Sequence, residues 1–316
     1  SCVAKVAGDL VISVPAKRER DRVASKSAAS KKVAATHLDW ALSPSVHRFF
    51  VELTPPSLED NTDDFDRLKS AMETKHEIEH LSANLALIRK LSRNLRRGNW
   101  QVTCTVDTRN RGNEARLVGV YPGYKQRSPL GVALDIGTTN VVIDLVDLDS
   151  GRRIDRVSTV NKQISCGEDV ISRIIYSERK GGLNRLNRLI IQTISELLRE
   201  LAVRCNNKTG DIDQMVVAGS TTMTHLFLSL APRHVRREPY ISTATQFPSV
   251  TARELGVRIN PDAFIYCIPA VGAYIGGDIT AGVLSSRLFT SSKLSLFLDI
   301  GTNGELVLGN SDWMMG

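Results

Sequence analysis

Apolar residues recur along this chain with two different periods, and the alternation between them predicts an α/β order of elements. VALDIG at 132–137 and VVIDLVDL at 141–148 are apolar enough to be strands covered on both sides. Asp149-Ser150-Gly151 then supplies a turn into a third strand over Arg153–Val160. Gly167-Glu168-Asp169 opens a helix, and Leu186, Ile190, Ile194, Leu197 and Leu201 share one face of a long helix over Leu183–Cys205. Gln214–Ala218 reads as a buried strand entering a helix at GSTTMTHLFLSL (219–230). Tyr266–Pro269 is a further short strand, and Ala273–Leu288 a helix entered through Gly276 and Gly277.

The region before Leu130 is built differently. Gly8–Pro15 alternates like a one-sided strand, and residues 16–43 read as a linker, because KRERDRVASKSAASKK carries almost nothing that could bury a core. Residues 44–127 predict a small α+β middle domain. PPSLEDNTDDFDRLKSAM leads into a helix capped near Asn61 or Thr62, and Ser82–Arg97 forms a second helix with Leu85, Ile88, Leu91 and Leu95 on its apolar face. Gly98 stops that helix, and strands follow at Gln101–Val106 and Ala115–Tyr121.

Composition narrows the class. The chain has 316 residues, 42% hydrophobic and 24% charged, which fits a globular chain of about two domains. The net charge of +7 is diffuse and aromatic residues make up only 5%, so nucleic acid is not an expected partner. No apolar run approaches the ~18 residues that span a bilayer, and no secretory signal opens the sequence, so the expected setting is cytoplasmic, without a membrane. The cysteines at 2, 104, 166, 205 and 267 have no paired metal-ligand spacing and read as reduced thiols.

The chemistry lies in a repeat. LDIGTTNVVIDLV at Leu134 returns as LDIGTNGELVLGN at Leu298, with Asp135 and Asp299 164 residues apart. In each copy a strand ends in Asp and a Gly-Thr turn reverses the chain. Gly137, Thr138, Thr139 and Asn140 in the first copy, and Gly301, Thr302, Asn303 and Gly304 in the second, can offer amides and hydroxyls to a phosphate. A carboxylate repels phosphate, so Asp135 and Asp299 are expected to accept hydrogen bonds from the waters of Mg²⁺. A single copy would read as an ordinary β-turn with a hydrogen-bonding acid; two copies read as a clamp on one nucleotide.

This pair of motifs resembles the phosphate loops of the ATPase superfamily of acetate and sugar kinases, chaperone ATPases and actin (ASKHA). The resemblance implies a complete ribonuclease-H-like lobe at 128–290 and a truncated second lobe beginning at 291–316. PPSLEDN, GEDVISRI, GSTTMTHL, YIGGDITAG and DIGTNGELVLGN narrow it: together they resemble the reductive activators of corrinoid proteins, over almost the whole chain. That resemblance implies ATP and Mg²⁺ as cofactors, and a 2Fe–2S ferredoxin domain whose tail would be residues 1–15 and whose last ligand would be Cys2. It implies an external electron donor, and a corrinoid protein of a methyltransferase system as the partner reduced from Co(II) to Co(I). A chain ending at Gly316 would lack half the nucleotide cleft and be inactive by itself. Two rival readings are another kinase or ATPase of the superfamily, such as the activator of 2-hydroxyacyl-CoA dehydratase, and an actin-like assembling protein.

Other positions carry two readings each. Asp278 positions magnesium water or the attacking water, or caps a helix. The run Ser220, Thr221 and Thr222 presents hydroxyls and helix N-terminal amides to the cleft, or is a plain N-cap. Glu168 and Asp169 favour a helix start or approach the metal. His225, without a second ligand at metal spacing, reads as a packing residue.

Overall fold

A computed structural model describes residues 44–109 and 114–316. Cys2, the expected ferredoxin tail at 1–15 and the expected linker at 16–43 lie outside the described residues.

The first sheet has four strands, β1 (Val46–Glu52), β2 (His80–Ser82), β3 (Gln101–Asp107) and β4 (Glu114–Pro122), in the order β1-β3-β4-β2. Helices α1 (Asp64–His76) and α2 (Leu85–Arg97) accompany it, and Leu68, Met72, Leu91 and Leu95 are buried with Val51 and Cys104 in one core. β1 escapes a pattern reading because Phe49 and Phe50 are adjacent and interrupt the alternation. The cap of α1 is Asp63, whose side chain accepts from the Phe65 and Asp66 amides. Asn61 and Thr62 do not cap, because Thr62 is drawn into a turn that donates to Asp60. α2 starts at Leu85, not Ser82, since Asn84 caps it and Ser82 belongs to β2. The buried face is therefore Leu87, Leu91 and Leu95, and Leu85 is exposed. Gly98 ends α2 through crowding: a Cβ there would lie 2.1 Å from the Gln101 carbonyl oxygen.

The second sheet holds the repeat. β5 (Leu130–Ile136), β6 (Asn140–Asp147) and β7 (Arg153–Val160) form an antiparallel meander, and β8 (Ile212–Gly219) runs parallel to β5 on its other side. Between β7 and β8 the chain forms α3 (Val170–Ser177) and α4 (Gly182–Arg204). After β8 come α5 (Thr221–Phe227), β9 (Val250–Thr251), α6 (Ala252–Leu255), β10 (Phe264–Cys267) and α7 (Gly277–Ser286). The strand order is β7-β6-β5-β8-β10-β9, with β10 parallel to β8 and β9 a short antiparallel edge. Its first five strands, three antiparallel and two added in parallel beside β5, form a ribonuclease-H-like lobe. The face of α4 read from sequence is buried against Leu134, Ile143, Met215 and Val217. α7 starts at Gly277 because Val271–Ile275 closes a loop, with the Val271 and Gly272 amides donating to the Ile275 carbonyl. β9 and α6 were too short to show a period.

The two sheets are tied by buried polar contacts. Arg48 on β1 donates to Asp213 on β8 at 2.5 Å and to the Ser128 carbonyl at 2.8 Å. Asn260 joins the same carboxylate at 3.1 Å and the Val118 carbonyl at 3.2 Å. Tyr266 donates to Asp107, and Asn84 to Asp262 at 3.0 Å.

A third sheet, β11 (Ser295–Ile300), β12 (Gly304–Gly309) and β13 (Met314–Met315), is antiparallel in that order. The Phe297 ring lies against Gly282 of α7, where a Cβ would come within 2.2 Å of it.

Asp213 is fully buried and the Arg48 side chain only 7% exposed, so removing one partner leaves an uncompensated charge. Asp213→Ala is expected to lower stability by about 3–5 kcal/mol. Its urea-unfolding midpoint should fall with the slope unchanged.

Candidate functional site

Both Gly-Thr turns sit at strand ends, and the fold brings their tips together. The first links β5 to β6 across the pair Ile136–Val141, and the second links β11 to β12 across Ile300–Gly304. The Thr139 and Thr302 hydroxyls meet at 2.9 Å.

The first turn is tightly specified. A Cβ on Gly137 would come within 2.6 Å of the Asn140 carbonyl oxygen, so glycine is required for the reversal. The amides of Thr138 and Thr139 have no acceptor among the described residues. Unpaired amides side by side at a turn form a concavity suited to an anion. In the second turn the Gly301 amide donates to the Asn303 carbonyl at 2.9 Å, and Gly301, Thr302, Asn303 and Gly304 are all exposed.

Four carboxylates lie close enough to act on one another: Asp135 at the end of β5, Asp278 in the first turn of α7, Asp299 in β11 and Glu305 in β12. None has an ion-pair partner among the described residues. Crowding by protein, then the Asp278 and Asp299 charges, push Asp135 up to about 6. The side chain nevertheless keeps an open solvent-accessible face, so water screens part of that repulsion. Burial, with the Asp299 charge behind it, also raises Asp278, and Glu305 is raised by burial, then by Asp278 and Asp299. Arg156 relieves Asp135 only weakly, being held bidentately by Asp144 at 2.6 Å. Among the described residues no three His, Cys, Asp or Glu side chains converge to ligate an ion directly.

A cavity of about 530 Å³ opens beside the second turn, lined by Asp169 at the cap of α3, Ile174 of α3, Ser220, Thr222, Tyr274, Asn303 of the turn and Gly304–Leu306 of β12. Asp135 opens instead on a second hollow of about 300 Å³, with Asp144, Arg156 and Ala281.

The other expected residues divide. Ser220 lines the large cavity but also caps α5, its hydroxyl accepting from the Met223 amide at 3.3 Å. Thr221 is 1% exposed and donates to the Gly272 carbonyl at 2.6 Å, so its hydroxyl turns away from the cleft and Thr222 faces it. Asp169 caps α3 in a reciprocal pair with Ser172 and lines the cavity, while Glu168 is exposed. His225 is buried, with Nδ1 2.7 Å from the Thr221 carbonyl and its ring edge-on to Phe247, as a packing residue would be. Burial pushes the Cys104 and Cys267 thiols up to about 12, which makes them inert. Sequence reasoning missed Glu305, although a comparison of the two repeats could have found it: it stands where the first copy has Val141.

Residues 130–291, just over half of the chain, match the family model described as the RACo middle region, and residues 35–127 match the RACo linker region. The chain belongs to the RACo family. The four-stranded unit thus falls within the RACo linker region and the ribonuclease-H-like lobe within the middle region. Corrinoid activation enzyme RamQ of Eubacterium limosum is 37% identical over 199 residues, 62% of this chain and 33% of that protein. The [Co(II) methylated amine-specific corrinoid protein] reductase of Methanosarcina barkeri is 23% identical over 198 residues, 58% of this chain and 34% of that protein. The solved reductive activator for corrinoid, iron-sulfur protein is 40% identical with a TM-score of 0.79, over 87% of this chain and 44% of that chain. This RACo chain therefore spans about a third of its curated relatives and under half of the solved one. No helix among its described residues is long and apolar enough to cross a membrane.

The raised Asp135 has a consequence for pH. Between the unfolded value near 3.8 and the folded value near 6 the folded state binds more protons, so its ligand-free stability falls as pH rises through that window. Asp135→Asn should therefore melt higher than wild type at pH 7, by no more than about 2–4 °C because water screens the charge. The difference should vanish below about pH 4, and differential scanning calorimetry at both pH values checks it.

Proposed function

We propose that this protein is an ATP-dependent reductive activator of a corrinoid protein, working in the cytoplasm on a partner of a methyltransferase system. The observation that carries the reading is the meeting of Thr139 with Thr302, 163 positions apart, beside open amides and an unpaired set of acids. Membership of the RACo family, and the 40% identity with a reductive activator for corrinoid, iron-sulfur protein, support it.

The residues present suit a magnesium nucleotide. The Thr138 and Thr139 amides and the Thr139 and Thr302 hydroxyls would take phosphate oxygens from two sides, with Gly137, Asn140, Gly301, Asn303 and Gly304 shaping the turns. Asp135 and Asp299 would accept hydrogen bonds from metal-bound water. Bound Mg²⁺ would neutralise phosphate charge and relieve the repulsion among the acids. Asp278, its affinity for a proton raised, would orient and deprotonate a water at the terminal phosphate, while the Ile279 amide holds its Oδ1 at 2.8 Å. Loss of that phosphate removes what bridges the two turns and lets the sheets carrying them separate.

Reduction of the partner's Co(II) to Co(I) takes one electron. A 2Fe–2S cluster, with Cys2 as its last ligand in this reading, would supply it from an external donor. The four described cysteines are separate free thiols and cannot form such a site. An uphill transfer needs the population of a favourable partner state to be shifted, and the nucleotide-dependent clamp can provide that shift.

The test follows the Co(I) absorbance of a Co(II) corrinoid protein mixed with the full-length protein and a reductant. MgATP should be required and a non-hydrolysable analogue should fail. Asp299→Asn should slow Co(I) formation by about 10–100-fold. Equal rates with and without MgATP would overturn the proposal.

A further inference from the structure

Two buried side chains absent from the site described so far hold the first turn from beneath, and a third holds them. Asn161, Gln163 and Arg173 are each 0% exposed. Gln163, in the short 3-10 turn Lys162–Cys166, holds the other two without touching the Gly137–Asn140 turn. Asn161 follows β7, whose Val160 pairs with Asn140, and Arg173 reaches the turn from α3, which does not pair with it.

Their contacts fall on consecutive carbonyls. Asn161 Nδ2 donates to the Gly137 carbonyl at 2.9 Å, and an Arg173 terminal nitrogen donates to the Thr138 carbonyl at 2.6 Å. The Asn161 amide donates to the Thr139 carbonyl at 2.8 Å. A trans peptide is planar, with its C=O and N–H pointing in opposite directions. Pinning the Gly137 and Thr138 carbonyls inward therefore aims the Thr138 and Thr139 amides outward, and these are the two amides without an acceptor among the described residues.

The brace is itself anchored. Arg173 Nε donates to the Gly167 carbonyl at 2.9 Å, and its other terminal nitrogen reaches Gln163 Oε1 at 3.4 Å and Met223 Sδ at 3.3 Å. Gln163 Nε2 donates to the Leu186 carbonyl of α4 at 3.0 Å, and its backbone amide to Asn161 Oδ1, also at 3.0 Å. Among the described residues no carboxylate hydrogen-bonds the guanidinium, on which the Asp169 charge acts without contact, although burying a charge without a paired anion is expensive. A feature that costs stability and fixes two peptide planes is explained by what those planes present. The second turn has no such support: among the described residues no buried side chain holds the carbonyls of Gly301, Thr302 or Asn303.

We infer that Arg173 and Asn161 are positioning residues that pre-organise the first turn as the phosphate-receiving half of the clamp, with Arg173 as the buried counter-charge to the bound phosphates. This rests on the nucleotide reading above. It makes the first turn the docking half, complete before ligand arrives, and the exposed second turn the half that closes.

Calorimetry on the full-length protein with MgATP and, separately, adenosine tests this. Arg173→Lys keeps the charge but not the planar fork that spans four acceptors, and Asn161→Ser removes the donor to Gly137. Each should weaken MgATP by about 10–100-fold and leave adenosine affinity unchanged. Should Arg173→Lys fail to fold in a thermal melt, Asn161→Ser carries the same readout. Unchanged MgATP affinity, or equal losses for both ligands, overturns the brace while leaving the nucleotide reading intact. A wild-type protein that ignores MgATP overturns that reading, and the brace with it.

Discussion

Like charges brought close together are the constraint on which this structure turns. Asp135, Asp278, Asp299 and Glu305 come from four elements spread over 171 positions, and burial and mutual repulsion raise the proton affinity of three of them. Left alone, such a group pushes its elements apart. Asp135 and Asp278 sit beside apolar residues committed to the interior, Leu134 and Ile279, whereas Asp299 and Glu305 lie on strands whose Leu296, Leu298, Ile300 and Leu306 are exposed. Asp135 and Leu134 are neighbours on β5, and only Leu134 faces the α4 helix.

The same economy appears in the two turns. The first is rigid because its carbonyls are held by buried donors, and the second is exposed and held mainly by its own backbone. A clamp with one rigid and one adaptable jaw can bind in order, docking first and closing second, so that closure reports what is bound. The docked four-stranded unit extends the rigid half. Arg48 reaches Asp213 at the start of β8, the strand whose far end leads into Ser220 at the cavity, so one strand runs from the unit's anchor to the site.

Where the hydrophobic pattern was long and regular, it was legible. The face of α4, the β5–β6–β7 meander and the β8–α5 junction follow from residues in the string itself. Short or interrupted elements were not. β1 was hidden by adjacent phenylalanines, and the start of α2 by the choice between Ser82 and Asn84 as cap, which depends on Ser82 pairing with β4. At the site, the repeat exposed both aspartates and both turns, because an exact string recurring 164 positions later is a strong signal. Glu305 was passed over, since nothing local distinguishes a glutamate in a strand.

By itself, the sequence determined the duplication, the residue types at each turn and the alternation of strand and helix, all of which depend on neighbours within a few positions. Only the tertiary structure decided that Thr139 touches Thr302, that Thr221 turns inward, and that Arg173 lies buried under the Thr138 carbonyl. Those outcomes depend on packing between segments far apart in the chain. A side chain's partner there is chosen by which core its backbone must cover, and that choice leaves no periodic trace.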